Sequence, residues 1–271
     1  NKCLLIADHK SVDKQIHIFN KNDFSYLTSI GNFGEGPEEI TVMGCLAIDE
    51  AHHQLYVSDH AKQKIFSYDM DSVMVDSLYK PQVKTAMNET LFPSEYQYIN
   101  DTLSIAVLIK PTSTSTFNQF LGRWNMNTGE MIPMKYTHPD IQKKRITFAA
   151  SEKAGIYVEC YTRHDLMTIC SLDGELLYNI YGPDWDGGNG NKLQSFGTVM
   201  IGNDKIFVSY CGEDYARDSF PTKILVFDLE GNYLKTLETG YKISDCCYDS
   251  FNNRIILSLN DVVQFAYLDI D

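Results

Sequence analysis

A short apolar strand that begins just after a polar break recurs six times along this chain. One residue marks it in each copy: Leu5 in LLIAD, Leu55 in LYVSD, Leu103 in LSIAV, Ile156 in IYVEC, Ile206 in IFVSY and Ile255 in IILSL. Successive spacings are 50, 48, 53, 50 and 49 residues. A period of about 40–50 residues built from short strands marks a β-propeller, with one four-stranded blade per repeat. The six copies predict an all-β chain: one six-bladed propeller domain over residues 1–271, made of antiparallel blades. Hydrolases, lyases, sugar binders and scaffolds all use such folds, so function has to be read from sites.

The second repeat is the clearest. Counting outward from the propeller axis, its strands are expected at Met43–Asp49, Leu55–Asp59, Lys64–Asp69 and Val73–Tyr79, each rich in β-branched and aromatic residues and bounded by polar turns. The first repeat offers Leu4–Asp8, Gln15–Asn20 and Phe24–Ile30 but no innermost strand, and the last offers Ile243–Asp249, Arg254–Leu259 and Val262–Asp269 but no outermost one. Residues missing from the N-terminus are expected to supply both. Hairpin turns fall at Asn127–Glu130, Leu172–Glu175 and Glu230–Asn232, where glycine admits positive φ. No sustained helical period competes.

Composition narrows the partners. Net charge is −13, and no basic run is interleaved with aromatics, which argues against nucleic acid and against adsorption to an anionic membrane. The seven cysteines include no CxxC and no zinc spacing with histidine. Cys160 and Cys170 flank one hairpin and are candidates to face each other, whereas Cys246 and Cys247 are adjacent and must point to opposite faces of a strand.

Loops between blades and between the two middle strands of a blade emerge on one propeller face, and the longest are Gly31–Thr41, Gly182–Ser195 and Cys211–Thr222. In the second of these, Asp184, Asp186, Asn189 and Asn191 offer oxygen ligands among glycines, the donor set calcium prefers. Ser195 stands where a helix–loop–helix calcium site needs Glu, and Asp, Asn and Gly are also ordinary turn residues. No other cofactor is called for. Trp185, one of two tryptophans, can stack on a sugar or peptide if exposed, or cap the loop if buried. In the third loop Tyr215 and Arg217 are the binding candidates, beside Glu213, Asp214 and Asp218. His9 and His60 follow equivalent aspartates, with Arg163 and His164 near the same point of the fourth repeat. Convergence at the channel mouth would give a polar ring fit for binding or acid–base chemistry, though repeat symmetry alone would also align them. No nucleophile motif stands out: G-x-S-x-G, H-E-x-x-H and a phosphate loop are absent.

The segment from Ile16 to Asp69 resembles the NHL-type repeat, through the glycine-rich Gly31, Gly34, Gly36 and Pro37, then Asp49, then Leu55–Asp59. Taken whole, the chain resembles the TolB-like six-bladed propellers of Bacteroidetes. That resemblance implies an exported protein, periplasmic or at the cell surface, held to a membrane only through an N-terminal lipid anchor. It implies no known activity. Two readings stay open. One is an envelope binding or scaffold module that takes a peptide, protein or glycan on its loop-rich face. The other is a metal-assisted lyase or lactone hydrolase at the channel mouth.

Overall fold

The computed structural model of the chain describes residues 2–76, 78–113, 115–189, 193–217 and 219–270, with Tyr215 described by its backbone alone. Two compact units, Asn1–Pro133 and Met134–Asp271, carry three antiparallel sheets each. In the first unit the sheets are β1 (Cys3–Ala7), β2 (Lys14–Asn20) and β3 (Tyr26–Asn32); then β4 (Met43–Asp49), β5 (Gln54–Asp59), β6 (Lys64–Asp69) and β7 (Gln82–Ala86); then β8 (Phe92–Asn100), β9 (Leu103–Pro111), β10 (Phe117–Trp124) and β11 (Met131–Pro133). In the second they are β12 (Ile146–Ser151), β13 (Ile156–Tyr161), β14 (Leu166–Ser171) and β15 (Leu176–Tyr181); then β16 (Leu193–Gly202), β17 (Lys205–Asp214), β18 (Lys223–Asp228) and β19 (Tyr233–Glu238); then β20 (Ile243–Asp249), β21 (Arg254–Leu259) and β22 (Phe265–Asp269). Strands pair in chain order within every sheet, so each is an up-and-down blade.

Burial falls from the inner strands outward, which explains why the repeat is visible. Five of the six recurring apolar runs are second strands of their sheets, and the first, β1, opens its three-stranded sheet. Every residue of β13 is buried, as is all but the first of β5. A strand covered twice needs continuous rather than alternating apolar residues. The pleat sends neighbours to opposite interfaces. Val57 joins Ile16, Ile18 and Phe66 between the first two blades, while Tyr56 joins Ala106, Leu108 and Trp124 between the second and third. In the second unit Val208 packs with Val158 and Ile169, and Phe207 packs with Ile255 and Leu257. Outermost strands such as β7 and β15 are largely exposed.

The first and last sheets have three strands, as expected. The second blade departs from expectation. Residues Met70–Val73 form one helical turn, α1, capped by the Asp69 carboxylate accepting from the Ser72 N–H, and the fourth strand lies at Gln82–Ala86 instead of Val73–Tyr79. Cys160 stands opposite Met167 and Cys170 opposite Tyr157, so these two cysteines do not face each other. Cys246 is buried and Cys247 exposed, as adjacent strand residues must be.

The glycine-rich crossover between the first two blades is organised by one lysine. Lys62 donates to the carbonyls of Gly36 (2.6 Å), Glu39 (2.6 Å) and Gly34 (3.3 Å). Its ammonium also lies 3.8 Å from the fully buried Asp59 carboxylate. Asp59 in turn accepts from the backbone N–H groups of Thr41, Val42, Ala61 and Lys62. The Glu39 carboxylate accepts from Gly36 N–H and fills the space beside Gly34, where a Cβ would stand 2.0 Å from Glu39 Oε2. A side chain at Gly34 would have to displace the Glu39 carboxylate from Gly36 N–H.

Candidate functional site

At one end of the fourth blade, three segments enclose a pocket of about 440 Å³. Asp140, Gln142, Lys143 and Arg145 come from the stretch leading into β12, Arg163 and His164 from the β13–β14 turn, and Gly188 and Asn189 from the turn after β15. Both expected residues of the fourth repeat, Arg163 and His164, are thus brought together with the loop that holds Trp185.

The charges arise from a local alternation. Gln142-Lys143-Lys144-Arg145 runs into a strand, so alternate side chains part company. Lys144 turns inward and meets the buried Glu159 at 2.6 Å, while Tyr161 donates its hydroxyl to the other Glu159 oxygen at 3.2 Å. Lys143 and Arg145 stay exposed at the pocket, and their side chains make no ion pair or hydrogen bond among the described residues. The Arg145 carbonyl accepts from Thr162 N–H at 3.0 Å, tying this wall to the turn that carries Arg163 and His164.

Beside the cations lies a packed group of rings. Trp185 contacts Tyr181, His138 and His164 with centroids 5.0, 5.4 and 6.1 Å apart. The His138 contact is edge-on and the other two are tilted, and aromatic pairs at these spacings are favourable beyond their buried area. His138 is buried; its Nδ1 accepts from Asp140 N–H at 3.2 Å, so its proton sits on Nε2 and is donated to the Tyr181 hydroxyl at 3.0 Å. Burial lowers its pKa below the usual imidazole value, against the opposing charge of Asp140. His164 is only 6% exposed, and its Nδ1 has no hydrogen-bond partner among the described residues. Burial lowers this pKa too, with Asp186 (Oδ1 4.0 Å from Nδ1) pulling the other way.

The third wall is pinned by Asp165. This buried carboxylate accepts from Asp184 N–H (3.0 Å) and from the Tyr210 hydroxyl (3.3 Å), and its pKa is raised by burial. A Cβ at Gly182 would meet it at 2.1 Å, and one at Gly188 would stand 2.4 Å from the Asp140 carbonyl. Two glycines therefore let the loop close on its neighbours.

Other candidates fall elsewhere. His9 is exposed on the β1–β2 turn, whereas the His60 ring packs on Phe92 (6.2 Å) and over Gly44. No hydrogen bond or ring contact joins His9 to His60 among the described residues. Arg217 pairs with Glu213 at 3.0 Å on an exposed one-turn helix. The Tyr215 side chain, Asn191 and Asp218 lie outside the described residues. Asp184 and Asp186 are exposed, and Asn189 directs its amide N–H at the Asp186 carbonyl (3.1 Å).

Among the described residues, the group of three His, Cys, Asp or Glu side chains close enough to share a metal is Asp49, His52 and Asp101. Asp49 accepts from both the backbone and Nδ1 of His52. In the sixth blade Asp249 accepts from the backbone and side-chain amide of Asn252 in the same way. An imidazole that an asparagine replaces is locking a turn, so this dyad is read as structural. Sequence reasoning missed Asp140, Gln142, Lys143 and Arg145; their one signal was the sole run of three consecutive basic residues in the chain.

Residues 1–122 match the family described as DUF5128, 6-bladed beta-propeller. No curated protein matches the chain. Solved structures similar to it include a DUF4221-family member from Bacteroides vulgatus, at 10% identity and TM-score 0.66 over 99% of this chain and 90% of that one. A Bacteroides fragilis protein provisionally described as exported is similar at 15% identity and TM-score 0.59, over 96% and 77%. A gluconolactonase from Xanthomonas campestris is similar at 13% identity and TM-score 0.59, over 95% and 79%. At such identities the likeness is one of fold, and the fold class of the chain is the six-bladed β-propeller.

Proposed function

We propose that this chain is a recognition module of the cell envelope, with its ligand, a glycan or peptide, seated in the pocket of the fourth blade. The observation that carries the reading is charge placed against the trend of the molecule. In a chain of net charge −13, Lys143 and Arg145 face a pocket without protein partners among the described residues, beside a buried His164 whose Nδ1 has no hydrogen-bond partner among them, Asp186 standing 4.0 Å away. Buried polar atoms are ordinarily paired, and exceptions cluster where a ligand completes the set. The pocket walls are fixed by the Lys144–Glu159 pair and by Asp165, so ordering cost on binding is small. Export fits the resemblance to envelope propellers and the provisional description of the Bacteroides fragilis neighbour.

The test is a glycan and peptide array probed with the intact chain and with the Lys143→Ala/Arg145→Ala double variant. A ligand retained by the parent and weakened at least about tenfold in the variant supports the reading; the lost contacts are charge-assisted and near the surface. Ligands bound equally by both would move recognition off this pocket. The competing reading, lactone hydrolysis, draws on the gluconolactonase fold likeness and on Asp186 standing 4.0 Å from His164. It predicts turnover of gluconolactone that His164→Gln abolishes, and a recognition module predicts none.

A further inference from the structure

We propose a second ligand site in the first unit, a cavity of about 420 Å³ between the first and second blades that takes a neutral mono- or disaccharide. It stands apart from the fourth-blade pocket and does not rest on the reading of that pocket.

The cavity owes its existence to one long connection. Residues 70–81 join β6 to β7, whereas residues 21–25, 125–130, 172–175 and 229–232 make the same link in four other blades. A connection at least twice as long as its counterparts is where function concentrates. Here it lines the cavity with Asp76, Tyr79 and Lys80, while Lys14 and Thr28 come from the first blade and Asn32 and Glu38 from the glycine-rich crossover. Lys62 already holds that crossover through the Gly36 and Glu39 carbonyls, so this wall does not have to be ordered on binding. The volume falls in the lower part of the range of small-molecule sites, about 300–1,000 Å³.

A buried hydroxyl marks the space as a binding site. Tyr68 lines the cavity and is 2% exposed, yet its hydroxyl has no hydrogen-bond partner among the described residues. Such exceptions cluster where a further group completes the set. A phenol donates and accepts at once, as a sugar hydroxyl does.

The charges call for no ion. Lys80 and Glu38 are spent on each other at 2.7 Å, and the Glu39 carboxylate on Gly36 N–H. Lys14 and Asp76 remain, one of each sign, and one Asp76 oxygen accepts from Leu78 N–H. The side chains of Lys14, Thr28 and Asn32 make no hydrogen bond or ion pair among the described residues. Donors and acceptors in this mixture complement the vicinal hydroxyls of a neutral sugar, whereas a simple anion or cation would leave most of them unused. Tyr79 supplies the apolar face. Its hydroxyl accepts from Asp69 N–H at 3.0 Å and its ring lies 6.3 Å from that of Tyr68, so it is held in place for the C–H face of a pyranose to pack on.

The experiment is calorimetric titration of the full chain with glucose, galactose, mannose, N-acetylglucosamine, maltose, cellobiose and lactose, and with glycine as a zwitterion. At least one sugar should bind. Tyr68→Phe should weaken it about fivefold, the loss of one neutral hydrogen bond, while the melting temperature of the ligand-free variant holds or rises, because the hydroxyl has no protein partner to lose. Circular dichroism identifies a variant that has not folded; Thr28→Val, isosteric and on the partly exposed β3, then takes its place with the same expected loss. Binding by none of the sugars, or sugar binding untouched by the variant, overturns the assignment. Glycine bound in place of every sugar overturns it too. So does sugar binding that Lys143→Ala/Arg145→Ala removes, which would put the sugar in the fourth-blade pocket and leave the recognition reading standing.

Discussion

Two lysines that reach the glycine-rich crossover from elsewhere in the second blade should differ in worth by several-fold, and the difference tests how that segment is held. Lys62 donates to three backbone carbonyls and stands over a carboxylate that is 0% exposed, while its own side chain is 16% exposed. Lys62→Met keeps the aliphatic stem and removes the ammonium. Hydrogen bonds to a charged group contribute about 1.5–3 kcal/mol each, but the parent ammonium was itself desolvated, so the three do not add. Breaking a buried charged group away from its partners costs about 3–5 kcal/mol. For a chain of this size each kcal/mol shifts the melting temperature by about 2–4 °C, giving a fall of about 10 °C. Lys80 pairs with Glu38 at 2.7 Å from the same crossover, but the two side chains are 71% and 43% exposed. Lys80→Met should therefore leave the melting temperature nearly unchanged. Differential scanning calorimetry of both variants decides it. A fall of less than about 3 °C for Lys62→Met, or equal falls for both, would refute the claim that one buried ammonium organises the loop.

Acid should weaken the contribution of three buried imidazoles. Burial depresses the pKa of His60, His138 and His164, so these rings bind fewer protons in the folded chain than in the unfolded one, where imidazoles titrate near about 6.5. Their contribution is lost as pH drops from about 7 to about 5.5, while His52, raised by its hydrogen bond to Asp49, and Asp165, raised by burial, act in the opposite sense. Urea midpoints of the parent and of His138→Gln across that window isolate one ring: the variant should lose less stability on acidification, and an equal loss in both would contradict the burial of His138. Gly44→Ala is expected to destabilise by about 1–3 kcal/mol, because a Cβ there would stand 2.4 Å from His60 Nε2. Combined with His60→Ala, the loss should be less than the two single losses together, and strict additivity in a double-mutant cycle would show that the ring does not occupy that space.

Much of the fold was legible because its most buried strands are also its most regular in sequence. A strand covered on both faces is filled mostly by apolar residues, so Leu55–Asp59 and Ile156–Cys160 advertise themselves, with Asp59 and Glu159 buried through their hydrogen bonds. The outer strands are under no such constraint. β7 exposes Gln82, Val83 and Lys84, and it carries no pattern to find. The apolar stretch just before it drew the expectation instead: Val73 is buried, but it closes a helical turn that Asp69 caps and does not enter a ladder. Side-chain capping over four residues outcompeted a weak strand signal.

The pocket was half legible for a related reason. Trp185 and the His164 turn could be singled out by residue type and by position in the repeat. What Lys143, Lys144 and Arg145 each do could not, since three adjacent cations look alike until a partner is placed. Glu159, which lies inside an otherwise apolar strand, captures Lys144 and so assigns the side on which Lys143 and Arg145 stand. The loop after β15 makes the same point: Asn189 spends its amide N–H on the Asp186 carbonyl, and the backbone of Asp184 is held by Asp165. Ligand spacing in a sequence fixes which oxygens are close; which way they point depends on hydrogen bonds made to residues far away in the chain. The chemistry of this blade is therefore set by two buried carboxylates, Glu159 and Asp165, neither of which lines the pocket.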